Sequence, residues 1–150
     1  MATAVFFHAH PDDEAIATSG TMAKAAAAGH RVILVTATRG EHGEVPDGFL
    51  DEGEDLWRRR EKELQDAAKI IGVDRLEFLG YVDSGMIDTL ENEAPESFWQ
   101  ADLDEAAERL ATILREEEAD VLTAYDPHGN YGHPDHIQVH HVGHRAAEIA

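Results

Sequence analysis

The stretch Ala4-Val5-Phe6-Phe7-His8-Ala9-His10-Pro11-Asp12-Asp13-Glu14 decides how this chain is read, because an apolar run passes directly into a turn crowded with ionisable groups. A short run that is apolar at consecutive positions suits a strand of a parallel sheet, which is covered on both faces. The same pattern returns at Val32–Thr38, Leu76–Leu79 and Val121–Ala124, so these and Ala4–His8 are the strand candidates. Stretches of helical period follow each one. They run from about Glu14 to Ala28 before Gly29, from about Leu56 to Ile71 before Gly72, and from about Leu103 to Glu118; the last opens at Pro134 and is still running at Ala150. Glycine just past a helix end and proline in a first turn are where those residues fit the backbone best.

Strand and helix alternating four times predict an α/β domain, a Rossmann-like parallel sheet with right-handed crossovers and helices on both faces. In the common order 3-2-1-4 the winding reverses between strands one and four, and ligands bind in the crevice beyond their carboxyl ends. The loops Arg39–Asp55 and Gly80–Gln100 are longer than connections in compact α/β units usually are, which marks them as functional candidates. A sheet ending at its fourth strand and a last helix without a cap lead us to expect that residues 1–150 are one domain truncated on its C-terminal side.

Composition narrows the function classes. Among 150 residues, 31 Asp and Glu against 12 Lys and Arg give a net charge of −19, so phosphate backbones and anionic membrane surfaces are repelled. No cysteine is present, which removes disulfides, thiolate metal sites and cysteine nucleophiles and leaves His, Asp and Glu as metal ligands. The N-terminus lacks the basic start and long apolar run of a signal peptide, and no stretch approaches the roughly 18 apolar residues of a membrane span. A soluble cytoplasmic protein is the expectation.

The first strand ends in the His10-Pro11-Asp12-Asp13 turn, and the fourth is followed by Asp126-Pro-His-Gly-Asn-Tyr131-Gly-His133-Pro-Asp135-His136. These are the strands that flank the expected switch point, so two polar segments far apart in sequence converge. Proline fixes the backbone between the first and fourth residues of each turn. That pairs His10 with Asp13 and His133 with His136. A zinc-class ion takes imidazole nitrogen and carboxylate oxygen, and a catalytic site keeps three protein ligands and one open position. His10, Asp13 and either His133 or His136 meet that requirement. Metal-assisted hydrolysis also needs a carboxylate to take a proton from water and a donor for the oxyanion and leaving group. Asp12 and His133 are the candidates, with Asp135 orienting the histidine. His136, His140 and His144 share a helical face, but His141 interrupts the pattern, and a solvated or core-packed face is the expected reading.

On the motifs Ala9-His-Pro-Asp-Asp-Glu14 and Tyr131-Gly-His-Pro-Asp-His136, the chain resembles the LmbE/PIG-L family of zinc-dependent N-acetylglucosaminyl deacetylases, within it the actinobacterial mycothiol-pathway deacetylase and amidase branch. The resemblance implies zinc on His10, Asp13 and His136, with ferrous iron suited to the same ligands. It implies Asp12 as general base, His133 supported by Asp135 at the transition state and leaving group, and Tyr131 as a mobile group polarising the carbonyl. Glu41, Arg60 and Asp83 match positions that hold the substrate sugar or inositol. The implied reaction is removal of an N-acetyl group from an N-acetylglucosamine-type sugar or glycoconjugate. Ile16, Ala17 and Thr18 stand where relatives carry polar substrate contacts, which argues for a generic N-acetylated amino sugar over an inositol or thiol conjugate.

The alternatives are an enzyme similar to the mycothiol S-conjugate amidase, a metal- or carbohydrate-binding fragment without catalysis, and a nucleotide-binding domain. The last is disfavoured by three carboxylates in the turn where a phosphate loop needs glycines and bare amides.

Overall fold

A computed structural model describes residues 1–150. The elements are β1 (Thr3–His8), α1 (Asp13–Ala17), α2 (Ser19–Ala27), β2 (Arg31–Thr36), α3 (Leu56–Ile71), β3 (Arg75–Phe78), α4 (Leu103–Glu116), β4 (Val121–Thr123), the single turn α5 (Gly129–Gly132) and α6 (Pro134–Ile149). All strand pairs are parallel, as the alternation of elements predicts, and the order is β3-β2-β1-β4, the common one expected for a Rossmann-like sheet. Register aligns Phe6 with Leu34 on one side and with Thr123 on the other.

Side chains alternate across a strand, so each strand of the sheet centre feeds two cores. Val5, Phe7, Ile33 and Val35 pack with Leu110 of α4 and with Val139 and Val142 of α6. Phe6, Val32 and Leu34 pack on the opposite face with Met22 of α2 and Leu64 of α3. Helices therefore cover both faces, and the apolar runs of β1 and β2 follow from that double burial.

Three local features differ from the sequence expectation. The helix expected over Glu14–Ala28 is two helices broken at Thr18 (φ −132°, ψ −5°), whose hydroxyl is bound by His8 Nε2 at 2.8 Å. The third predicted helix stops at Glu116, and Glu118 turns the chain with φ 48°. The segment 80–100 is packed and not an open loop. It carries 3₁₀ turns at Leu90–Glu93 and Phe98–Gln100, a parallel bridge from Val82 to Ser97, and a fully buried Phe98 edge-on to Phe7 at 6.5 Å between centroids. No helix is long and apolar enough to cross a membrane.

α6 lies across β1 close to β4 because Gly143 has no side chain. A Cβ there would sit 2.8 Å from Ala124 Cβ and 3.7 Å from the Phe7 ring. Gly143→Val is expected to lower unfolding free energy by about 1–3 kcal/mol in urea titrations, the usual cost of overpacking a filled core. An unchanged midpoint would contradict this packing.

Candidate metal and active site

Because β1 and β4 are neighbours, the chain leaving each one enters the same crevice at the switch point. The second segment is aimed by α5 and by the start of α6. Gly129 (φ 63°) lies against the backbone of His136 and Ile137, where a Cβ would come within 2.6 Å of Ile137 N. Only glycine fits there. His133 is the N-cap of α6, its Nδ1 accepting the Asp135 N–H at 3.1 Å, with Pro134 beginning the helix. This places His136 in the first turn, directed back into the crevice.

Two overlapping groups of ligand-type side chains result: His10, Asp13 and His136, and His10, Asp83, His133 and Asp135, each with ligand atoms within 4.8 Å of one another. In the first group His136 Nε2 is buried 3.3 Å from Asp13 Oδ2 yet lacks a well-oriented hydrogen-bond partner. His10 donates from Nε2 to Asp135 Oδ2 at 2.8 Å, leaving Nδ1 on the side of Asp13, 3.7 Å from Oδ2. A histidine whose far nitrogen is tied to a carboxylate is the usual arrangement behind a metal ligand. The His10, Asp13, His136 set thus fits a divalent cation of the zinc class in donor type, number and orphaned nitrogen.

Electrostatics point the same way. Burial opposes a charge on His10, yet hydrogen bonds and proximity to Asp135 and Asp83 push it up to about 10. The carboxylates around His10 therefore favour a positive charge in the crevice, which a proton or a bound cation can supply. Burial works against the Asp13 carboxylate too, but His136 and His10 hold it well below the usual range. His133 is lowered by burial and by His10. With Nδ1 accepting from Asp135 N–H, its neutral ring carries the proton on Nε2, a donor form.

Behind Asp13 lies a hydrogen-bond chain that the sequence reading missed. Tyr125 donates its hydroxyl to Asp13 Oδ2 at 3.0 Å and receives the Ala9 N–H at 3.2 Å. Its oxygen is also 2.7 Å from His8 Nδ1, and His8 Nε2 is 2.8 Å from Thr18 Oγ1. Since the Tyr125 proton points to Asp13, His8 must donate from Nδ1 and accept at Nε2 from Thr18. Burial lowers His8 to about 4, consistent with this neutral form. The available signal for Tyr125 was its position just past the fourth strand.

Asp12 sits at the crevice mouth with φ 127°, an uncommon backbone region for a residue with a side chain. Its side chain is largely exposed, and partial desolvation on the motif side raises its carboxyl against the pull of Arg60. Arg60 Nη2 is 3.3 Å from Asp12 Oδ2 and donates to Pro11 O at 2.7 Å, while Nη1 donates to Gly40 O at 2.8 Å. Arg60 thus fastens the motif turn to the loop after β2.

The remaining candidate residues divide. Tyr131 is half exposed, its ring 4.9 Å from that of His136. Asp83 is buried, accepts the Gly85 and His42 N–H groups, and lies 3.6 Å from His10 Nε2. Glu41 is not brought to the cavity: its carboxylate accepts the N–H groups of Arg39 and Asp83, which turns it onto the backbone. Asp135 also departs from expectation. Its backbone N–H, and not its carboxylate, contacts His133, while the carboxylate binds His10 and the Ser84 N–H. Above these groups opens a cavity of about 930 Å³, with Asp12, Asp13, Asp83, Arg60, Tyr131 and His133 in its lining. That volume suits a small organic ligand.

The chain belongs to the PIG-L family, described as GlcNAc-PI de-N-acetylase, whose family model matches residues 5–147. It is 51% identical over 152 residues to a 1D-myo-inositol 2-acetamido-2-deoxy-alpha-D-glucopyranoside deacetylase of Streptomyces scabiei, covering 95% of this chain and 47% of that protein. A protein of the same name from Nocardiopsis dassonvillei is 51% identical over 148 residues, covering 93% of this chain and 52% of that one. The chain therefore spans about half the length of these curated relatives. Among solved structures, N,N'-diacetylchitobiose deacetylase from Pyrococcus horikoshii superposes with a TM-score of 0.74 at 30% identity, covering 97% of this chain and 48% of that chain. GalB, a 4-carboxy-2-hydroxymuconate hydratase from Pseudomonas putida KT2440, superposes with a TM-score of 0.75 at 27% identity, covering 100% and 57%.

Tyr125→Phe removes the hydroxyl donor to Asp13 without changing ring volume. It is expected to weaken metal affinity about 10–100-fold in chelator competition, the usual effect of losing a group that orients a ligand. Unchanged affinity would contradict the orienting role of Tyr125.

Proposed function

We propose that this chain carries the catalytic centre of a metal-dependent deacetylase that hydrolyses the N-acetyl group of an N-acetylglucosamine-type sugar. The observation that supports it most is the His10, Asp13, His136 set, with its orphaned imidazole nitrogen, beside Asp12 on the wall of an acidic cavity. Zinc is the proposed ion on those three residues, where it would polarise the amide carbonyl and acidify a water molecule.

Asp12 takes the proton from the attacking water. Its carboxyl, raised by partial desolvation and steadied by Arg60, is suited both to accept that proton and to release it to the departing amine nitrogen. His133, neutral with its proton on Nε2, donates a hydrogen bond to the developing oxyanion. Its Nδ1 is occupied as an acceptor, so the leaving-group proton is assigned to Asp12 in preference to His133. Tyr131, half exposed at the cavity edge, is proposed to add a second donor to the carbonyl oxygen.

The names of the curated relatives favour a glycoside of inositol as the sugar's partner, against the argument from Ile16, Ala17 and Thr18. The acid-rich lining disfavours a phosphorylated substrate. Arg60 and Asp83 line the cavity and are proposed to bound the sugar site. A cytoplasmic location is part of the same reading, since such a substrate is a small soluble metabolite.

The fold alone does not carry this reading, because a hydratase shares it. The test is release of acetate from the N-acetylglucosaminyl inositol by the zinc-loaded protein. Asp12→Ala is expected to retain the metal and lose turnover by about 10²–10⁴-fold, the range for a general base. Undiminished acetate release in Asp12→Ala would contradict the role of Asp12.

A further inference from the structure

One turn beyond His136 on α6, His140 and His144 form a pair that the proposed reaction does not use. They are four residues apart, so both project from one helical face. Their ring centroids are 4.3 Å apart, a closer approach than between the histidine rings of the crevice. His140 is half-buried and His144 is exposed, while Val139, Val142 and Ala146 take the packed side of the helix.

His140 Nδ1 lies 2.9 Å from the backbone carbonyl of Tyr125, which can only accept. Nδ1 must therefore carry a proton, and in the neutral ring Nε2 keeps its lone pair. A backbone carbonyl on the far nitrogen is one of the standard ways of fixing the tautomer of a metal-ligating histidine. A second imidazole one turn away completes a two-nitrogen chelate, the spacing by which a helix presents two histidines to zinc. The His141 ring is also near, its centroid 5.3 Å from that of His140 with the planes inclined at 72°, but adjacent positions do not share a helical face, so the i, i+4 partner of His140 is His144. The net charge of −19 raises the local concentration of any dication.

We propose that His140 and His144 form a second site, for a divalent transition metal that favours imidazole nitrogen, such as zinc, nickel or copper. The sequence pattern alone favoured a solvated or core-packed histidine face. The fixed His140 tautomer and the ring proximity change that reading. The site is open and has two protein ligands, so solvent or an external ligand fills the rest of the coordination shell, and its affinity is lower than that of the crevice. It is linked to the crevice through Tyr125, whose carbonyl holds His140 and whose hydroxyl holds Asp13.

The test is calorimetric titration of the protein with zinc chloride, after one equivalent has been loaded, beside the His144→Ala, His140→Ala and His141→Ala variants. The wild type is expected to take up a second, weaker equivalent, which His144→Ala and His140→Ala lose and His141→Ala keeps. Magnesium chloride is expected to give no binding there. His144 is exposed, so its replacement leaves the fold intact, and circular dichroism checks this. Absence of a second equivalent in the wild type, or its persistence in His144→Ala, overturns the proposal. The comparison of wild type with His144→Ala reads metal uptake alone, so its outcome is independent of whether the protein deacetylates a sugar.

Discussion

The structure around the crevice is organised by the need to balance buried carboxylates. Asp13, Asp83 and Asp135 converge on His10 at the carboxyl edge of the sheet, where little water reaches them. Isolated charges in such a place are expensive, and they persist only when paired and hydrogen-bonded. Each carboxylate accordingly has assigned donors. Asp13 takes the Tyr125 hydroxyl and the His10 N–H, Asp83 the N–H groups of Gly85 and His42, and Asp135 the Ser84 N–H and the His10 ring. What these donors leave is a positive-charge requirement centred between His10, Asp13 and His136. A dication meets it with the buried His136 Nε2, which has no hydrogen-bond partner of its own.

That requirement also explains several features of the scaffold. Thr18 breaks the first helix because its hydroxyl serves His8, which in turn holds Tyr125 against Asp13. Gly129 brings its backbone onto α6 so that His136 reaches the crevice. Arg60 occupies the space left by Gly40 and Gly43, where a Cβ would collide with its guanidinium, and fastens the Pro11 carbonyl. The deacetylase reading thus rests on a charge arrangement that the sheet topology alone would not dictate.

Much of the fold was legible because the double burial of β1 and β2 writes itself as continuous apolar runs, and glycine and proline mark the helix ends. The alternation of elements implied a parallel sheet, and the strand order is the common one of that fold class. The Thr18 break was not legible, since it depends on a partner in a different element. Within the site, the two motif turns announced their convergence, but spacing left His133 and His136 equivalent as third ligands. The structure separates them physically: His133 spends Nδ1 on capping α6, whereas His136 presents an unpaired Nε2. Tyr125 escaped notice because its contact with Asp13 joins residues 112 positions apart in the chain. Glu41 lies in a motif-like segment, but its carboxylate closes a turn, and motif position alone carries no information about side-chain direction.

If the buried carboxylates are balanced in this way, His10, Asp13 and His136 hold one tightly bound divalent ion. Elemental analysis of the purified protein after gel filtration, beside His136→Ala, is the decisive experiment. One zinc per chain is expected in the wild type and none in the variant, with both proteins folded. A folded wild-type chain without metal, or a His136→Ala variant that retains its zinc, would be incompatible with a metal centre built on these three residues.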